Sequence, residues 1–256
     1  MNSRPPTDSA ERDASHPIAD AYPLSPMQQG MLFHSVAAQG TDVYVEQLSC
    51  SLRGRLRPAD FRAAWEEILR RHAVLRTAFA WHGLPEPLQV VGPRVPTPLE
   101  VLDWGGLSAD EQREQLAALR AAERLKGFGL TRAPLMRLKL VRLSEELHWM
   151  VWTWHHIVLD AWSVRLVLEE FFAAYEAQSA GRADEPEPPR PYKDFIAWLR
   201  GQDLSEAEAF WRRSLAGFRE PTPLGVEGLG GGNARDEIAP ASEVGAGSEV
   251  EDALPV

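Results

Sequence analysis

Cysteine is almost absent. Cys50 is the only one in 256 residues, which excludes an internal disulfide framework and a thiolate zinc cage. Such a chain is expected in the reducing cytoplasm. Long apolar runs are missing too. None approaches the roughly 18 consecutive apolar residues of a membrane helix, and the first twenty residues, MNSRPPTDSAERDASHPIAD, have no apolar stretch of the kind that directs secretion. Basic residues are in the minority, 27 Lys and Arg against 37 Asp and Glu, for a net charge of −10. From Arg219 to Val256 eight acids face only Arg219 and Arg235, a balance of −6, and residues 1–20 carry −2. The stretch 21–218 is therefore left at −2. A near-neutral body without a Lys/Arg stripe offers no footprint for nucleic acid.

The chain is 44% hydrophobic, enough for a packed core. Composition divides it into a leader (1–20) expected to be disordered, a folded body (21–218), and an acidic Gly/Ala-rich tail (219–256) too poor in apolar residues to order itself. Within the body, Tyr22-Pro-Leu-Ser-Pro26 predicts an extended lead-in to a short helix. Strands are expected over 43–54, 75–81, 87–91, 135–143 and 147–158, the last two joined as a central hairpin by Ser144-Glu145-Glu146. Apolar residues at three- and four-residue steps predict helices over 58–72 and 162–178, the latter with Leu166, Phe171, Phe172 and Tyr175 facing the core. Ser108 and Glu111 form the capping box of another helix that ends near Gly127. A Pro-rich connector (181–191) precedes a final helical stretch, 192–215, interrupted near Gly201. Helices and strands are interspersed without strict βαβ alternation. The expected fold is α/β or α+β, with a mixed β-sheet flanked by helices.

Chemistry concentrates at one place, Trp154-His155-His156-Ile157-Val158-Leu159-Asp160-Ala161-Trp162-Ser163. Adjacent residues of a strand point to opposite faces, so one histidine can look into a cavity while the other is held in the framework. Strand pattern alone does not say which. Asp160 stands where strand gives way to helix, where a carboxylate can accept backbone N–H groups or pair with an arginine, Arg71 or Arg76. A strand-end histidine is suited to removing a proton from an attacking amine or hydroxyl. No third ligand makes His156 and Asp160 a metal site. There is no G-x-S-x-G elbow, and the Gly230–Gly232 run lacks the Lys and Ser/Thr of a phosphate loop.

His155-His156-x-x-x-Asp160-Ala161 resembles the HHxxxDG motif of the acyltransferases that include chloramphenicol acetyltransferase and the condensation domains of nonribosomal peptide synthetases. Three further segments resemble condensation-domain motifs in the right order: Ser25-Pro-Met-Gln-Gln-Gly-Met-Leu-Phe33, Arg71-His72-Ala-Val-Leu-Arg76-Thr-Ala-Phe79, and Tyr192-Lys-Asp-Phe-Ile-Ala-Trp198. Both histidines are present and Trp162-Ser163 follow the small residue, as in amide-forming members.

The resemblance implies a chloramphenicol acetyltransferase-like lobe whose partner, a second similar lobe, is missing. It implies that an acyl or peptidyl thioester on an upstream peptidyl carrier protein is transferred to the amine of an aminoacyl thioester on a downstream one. Both substrates would ride on phosphopantetheine arms, with no cofactor bound directly. By position His156 is the catalytic histidine, and His155, Asp160, Arg71, Arg76, Ala161 and Ser163 are structural, Asp160 being ion-paired to Arg71 or Arg76. Ala161 replaces the usual glycine, which is harmless if the backbone there is helical. The alternatives are a non-catalytic module that keeps carrier-protein or lobe contacts, and a free-standing acyltransferase using coenzyme A. An isolated lobe is also expected to expose the apolar surface meant for its partner.

Overall fold

A computed structural model of the chain describes residues 17–37, 43–182 and 187–219, together with the backbone of 254–255. The expected leader, apart from residues 17–20, and nearly all of the expected tail lie outside the described residues.

Prolines shape the first elements. Pro23 closes the short strand β1 (Asp20–Pro23), and Pro26, with its fixed φ and missing N–H, occupies the first position of α1 (Pro26–Ala37). Residue 20, the end of the expected leader, thus already belongs to a sheet. β1 lies in a small antiparallel sheet of order β1-β4-β3, with β3 (Thr77–Ala80) and β4 (Leu88–Val91). The strand expected from Leu75 begins at Thr77, because residues 73–76 form a 3-10 turn.

The main sheet is built on the expected hairpin. β6 (Met136–Arg142) and β7 (Leu147–His155) are antiparallel neighbours, flanked by β2 (Val45–Arg53) on the β7 side and a parallel β5 (Leu99–Asp103) on the β6 side. The backbone of β8 (Leu254–Pro255) runs parallel to β2. β5 carries little signal in the sequence because its five residues follow Pro96 and Pro98 and are largely exposed.

Two helices cover one face. α2 (Pro58–Arg71) and α4 (Ala161–Ser179) lie side by side, and their aromatics meet those of β7. Trp65 packs edge-on to Trp152 at 5.1 Å and stacks on Phe171 at 4.7 Å between ring centres. Trp65, Trp152, Phe61 and Phe171 are all buried. Leu138 and Leu140 share this apolar face, since they pair with Trp152 and Met150.

The opposite face mixes polar side chains with Val141 and Val151 and is covered by α3 (Ala109–Leu125), which starts at the reciprocal Ser108–Glu111 capping box. Here Gln47 of β2 donates to Thr153 Oγ1 and to the carbonyl of Arg120. Buried Glu123 meets Arg137 and Lys139 of β6. The last helical stretch divides at Gly201 into α5 (Tyr192–Arg200) and α6 (Ser205–Ser214). No described helix is long and apolar enough to cross a membrane.

Candidate active site

β7 ends at His155, and the chain turns before α4 begins. In that turn His155 O accepts from Val158 N at 3.1 Å, and His156 N donates to Tyr44 O at 2.8 Å. The two histidines then diverge as strand geometry predicts.

His155 faces inward and is buried. Its Nδ1 accepts the Ile157 N–H at 3.1 Å, so the ring proton sits on Nε2, which faces Ser35 Oγ at 3.4 Å. Burial, reinforced by the neighbouring His156, pushes its pKa down to about 4. A folded-state value below the unfolded 6.5 means that the unfolded chain binds the extra proton first. This contribution to stability is complete above 6.5 and declines as pH falls toward 4, by on the order of 3 kcal/mol. Urea titrations across that window should show a falling midpoint, with the slope reduced in a His155→Gln variant. An equal slope in both proteins would contradict the assignment.

His156 is half-buried and lines a cavity of about 770 Å³. Its Nδ1 lies 2.9 Å from Leu159 O. A carbonyl can only accept, so Nδ1 carries the proton and the neutral ring has its lone pair on Nε2. The ring is therefore oriented by a main-chain atom, with Nε2 left as its hydrogen-bond acceptor.

Asp160 departs from the expectation. Neither Arg71 nor Arg76 pairs with it. Its Oδ1 accepts from Ser163 N at 2.8 Å, which makes it the N-cap of α4. That bond and the nearby His156 hold its carboxyl below the usual range. Arg71 instead donates to Glu170 Oε2 at 2.9 Å and to Glu187 O at 3.0 Å. Arg76 is committed to the carbonyls of Leu69, Gly92 and Pro93. A short carboxylate at a helix start is closer to free N–H groups than to a distant guanidinium, and the cap wins. Asp160→Ala should then cost about 1 kcal/mol, the usual value of a lost cap, rather than the larger penalty of a broken buried pair. Asp160→Asn, which caps equally well, should melt within a degree or two of the parent. A loss of several kcal/mol for the asparagine variant would restore the ion-pair reading.

Ala161 opens α4 with helical backbone, so the absent glycine costs nothing there. Ser163 lines the cavity two residues later. Leu166, expected in the core, is 52% exposed at the cavity rim.

Two further residues, Glu170 and Gln28, line the cavity. Glu170 accepts from Arg71 and lies 3.0 Å from His72 Nε2; burial would raise its pKa, but His72 and Arg71 outweigh it and hold the carboxyl low. Gln28 is visible only as part of a motif. Ser25-x-x-Gln28 proves to be a capping box: Ser25 N donates to Gln28 Oε1 and Gln28 N to Ser25 Oγ. That spacing is the signal that could have found it. The far wall is α5, with Tyr192, Phe195 and Trp198. Met27, Leu166, Phe195 and Trp198 leave an exposed apolar rim around the opening, and Trp162 is 77% exposed beside it.

Comparison with known proteins adds to this geometry. The family described as "Condensation domain" matches residues 18–229. The chain is 43% identical over 217 residues to one of the linear gramicidin synthase proteins of Brevibacillus parabrevis, covering 85% of this chain and 3% of that protein. It is 37% identical over 207 residues to bacitracin synthase 3 of Bacillus licheniformis, 81% of this chain and 3% of that one. Among solved structures, the starter condensation domain of rhizomide synthetase RzmA superposes with a TM-score of 0.70 at 22% identity, covering 79% of this chain and 50% of that one. An X-domain solved in complex with OxyB from teicoplanin biosynthesis superposes equally well, with a TM-score of 0.70 at 29% identity over 82% of this chain and 46% of that one. The chain thus spans a few per cent of these synthases and about half of the matching structures.

Proposed function

Since the chain belongs to the condensation-domain family, we propose that it is the His-bearing half of a domain that forms an amide between two carrier-bound substrates. In this reading the amine of a downstream aminoacyl thioester attacks the carbonyl of an upstream acyl or peptidyl thioester. The C–N bond forms, the C–S bond breaks, and the amine proton ends on the released pantetheine thiol. His156 Nε2 either takes that proton or holds the amine and the tetrahedral intermediate. His155 and Asp160 keep the turn and the start of α4 in place.

One observation carries the proposal: His156 lines an open cavity with its Nδ1 proton committed to Leu159 O, so Nε2 is bare. The apolar rim of Met27, Leu166, Phe195 and Trp198 supports a second lobe as the covering surface, as does the half-length match to solved relatives. Substrates delivered on phosphopantetheine arms need no cofactor held by this lobe.

The test is a reconstitution. A donor carrier protein is loaded with an acyl thioester, an acceptor with an aminoacyl thioester, and amide product is followed by mass spectrometry. The chain is assayed alone and with a separately produced C-terminal lobe from a relative. Product that appears on adding the lobe supports the reading. No product in either arm, with both proteins folded and associated, favours a module that binds without catalysing. A faster reaction with soluble acyl-coenzyme A than with any carrier thioester would point to the free-standing acyltransferase instead.

A further inference from the structure

Two buried glutamines join the N-terminal motif to the catalytic turn. Gln89, on β4, is fully buried and donates its Nε2 to Pro23 O at 3.0 Å. Gln28 is 5% exposed; its Nε2 donates to Gln89 Oε1 at 3.0 Å and to Ile157 O at 3.1 Å, while its Oε1 accepts from Ser25 N at 3.0 Å. The direction of this chain is forced. Pro23 O and Ile157 O can only accept and Ser25 N can only donate, so neither amide can be turned over without opposing like groups.

The consequence lies in the turn after β7. The Ile157–Val158 peptide is tied at both ends: its carbonyl to Gln28 and its N–H to His155 O at 3.1 Å. A peptide unit is planar, so fixing both groups fixes the plane, and with it the path of the chain to Leu159. Leu159 O is the acceptor of the hydrogen bond from His156 Nδ1–H. From this we infer that Gln28 is a positioning residue for His156, its side-chain amide clamping Ile157 O so that Leu159 O holds the imidazole in the Nδ1–H tautomer. A capping role alone uses only Oε1. The Nε2 contact to a residue 129 positions away is the additional function. The inference deepens the acyl-transfer reading and rests on it for its catalytic meaning.

The experiment reads the tautomer directly, without turnover. The full chain is labelled with 15N-histidine, and His156 is identified by the resonances lost in His156→Gln. At a pH where the ring is neutral, the wild-type spectrum should show one protonated and one bare nitrogen, with Nδ1 protonated. Gln28→Glu keeps the acceptor for Ser25 N, and so the start of α1, but has no N–H for Ile157 O. Its His156 nitrogens should move toward the average of the two tautomers. Ser25→Ala weakens the helix cap while leaving Gln28 Nε2 in place, and should leave them unchanged.

Wild-type shifts in Gln28→Glu would overturn the inference, as would an equal displacement in Ser25→Ala. Should Gln28→Glu fail to fold, hydrogen exchange in the wild type decides. The Gln28 side-chain amide protons must exchange more slowly than those of the exposed Gln115, and equal rates would overturn the clamp. A clamp that passes these tests in a chain that yields no amide would leave the clamp standing and refute the catalytic reading.

Discussion

Replacing His156 with alanine is expected to lower amide formation about 10²–10⁴-fold, the range lost with a positioned proton-transfer group. The loss should fall on kcat and kcat/KM alike, because in the proposed reaction the lone pair on Nε2 would act on the reacting amine and not on the carrier-protein surfaces that deliver it. The turn itself should survive. Its main-chain bonds, His156 N to Tyr44 O and Val158 N to His155 O, need no imidazole at position 156, and the side chain is only half-buried. Circular dichroism and a melting curve close to the parent's would separate loss of chemistry from loss of fold. A pH–rate profile then separates the two roles: a base gives a limb that vanishes with the imidazole, whereas a residue that only holds the intermediate does not. Retention of most of the activity in the alanine variant would remove His156 from the mechanism.

Glu123→Ala is expected to be the most destabilising of the substitutions considered, at about 3–5 kcal/mol. The Glu123 carboxylate has 1% side-chain exposure and accepts from Arg137 Nε at 2.7 Å and Lys126 Nζ at 2.5 Å, with Lys139 Nζ at 3.3 Å. Arg137 also donates to the carbonyls of Glu123 and Gly127 and lies over the Phe128 ring at 4.0 Å. Removing the acid takes the carboxylate from two largely buried cations on β6: Arg137 is left with carbonyls alone, and Lys139 keeps, among the described residues, only the exposed Glu100 as an anionic partner. The midpoint of chemical denaturation should fall at constant slope, and the melting temperature should drop on the order of 10 °C.

Acid reveals the same group in a different window. Burial would raise the pKa of Glu123, but Lys126 and Arg137 overcome that and hold it below 4.5. Its contribution is present above 4.5 and lost as pH falls below it, whereas that of His155 is already eroding between 6.5 and about 4. A Glu123→Ala protein as stable as its parent would mean that the cations on this face find solvent easily.

The elements legible in the sequence are those written within a few residues of each other. The pairing of β6 with β7, the Ser108 cap and the break at Gly201 all follow from spacing, turn residues and caps, whereas the second strand, expected to reach 158, stops at His155 because residues 156–158 turn. Leu166 departs from its expected place because the helical period there reports an apolar stripe without saying whether it meets a core or lines a cavity rim. The adjacent histidines are legible in the same local way: a strand sends neighbours to opposite faces, and a small residue after Asp160 permits a helix to start.

Which histidine turns inward, and which partner each charged group takes, is decided only by the tertiary structure. Asp160 caps its own helix, Arg71 meets Glu170 99 positions away, and Gln28 reaches Ile157 across 129. Periodicity and capping are short-range effects that a string of residues carries in itself. The partner of a buried polar group depends on which atoms the packed core brings within about 3 Å, hydrogen-bond distance, and that distance exists only once the sheet and helices have closed around it.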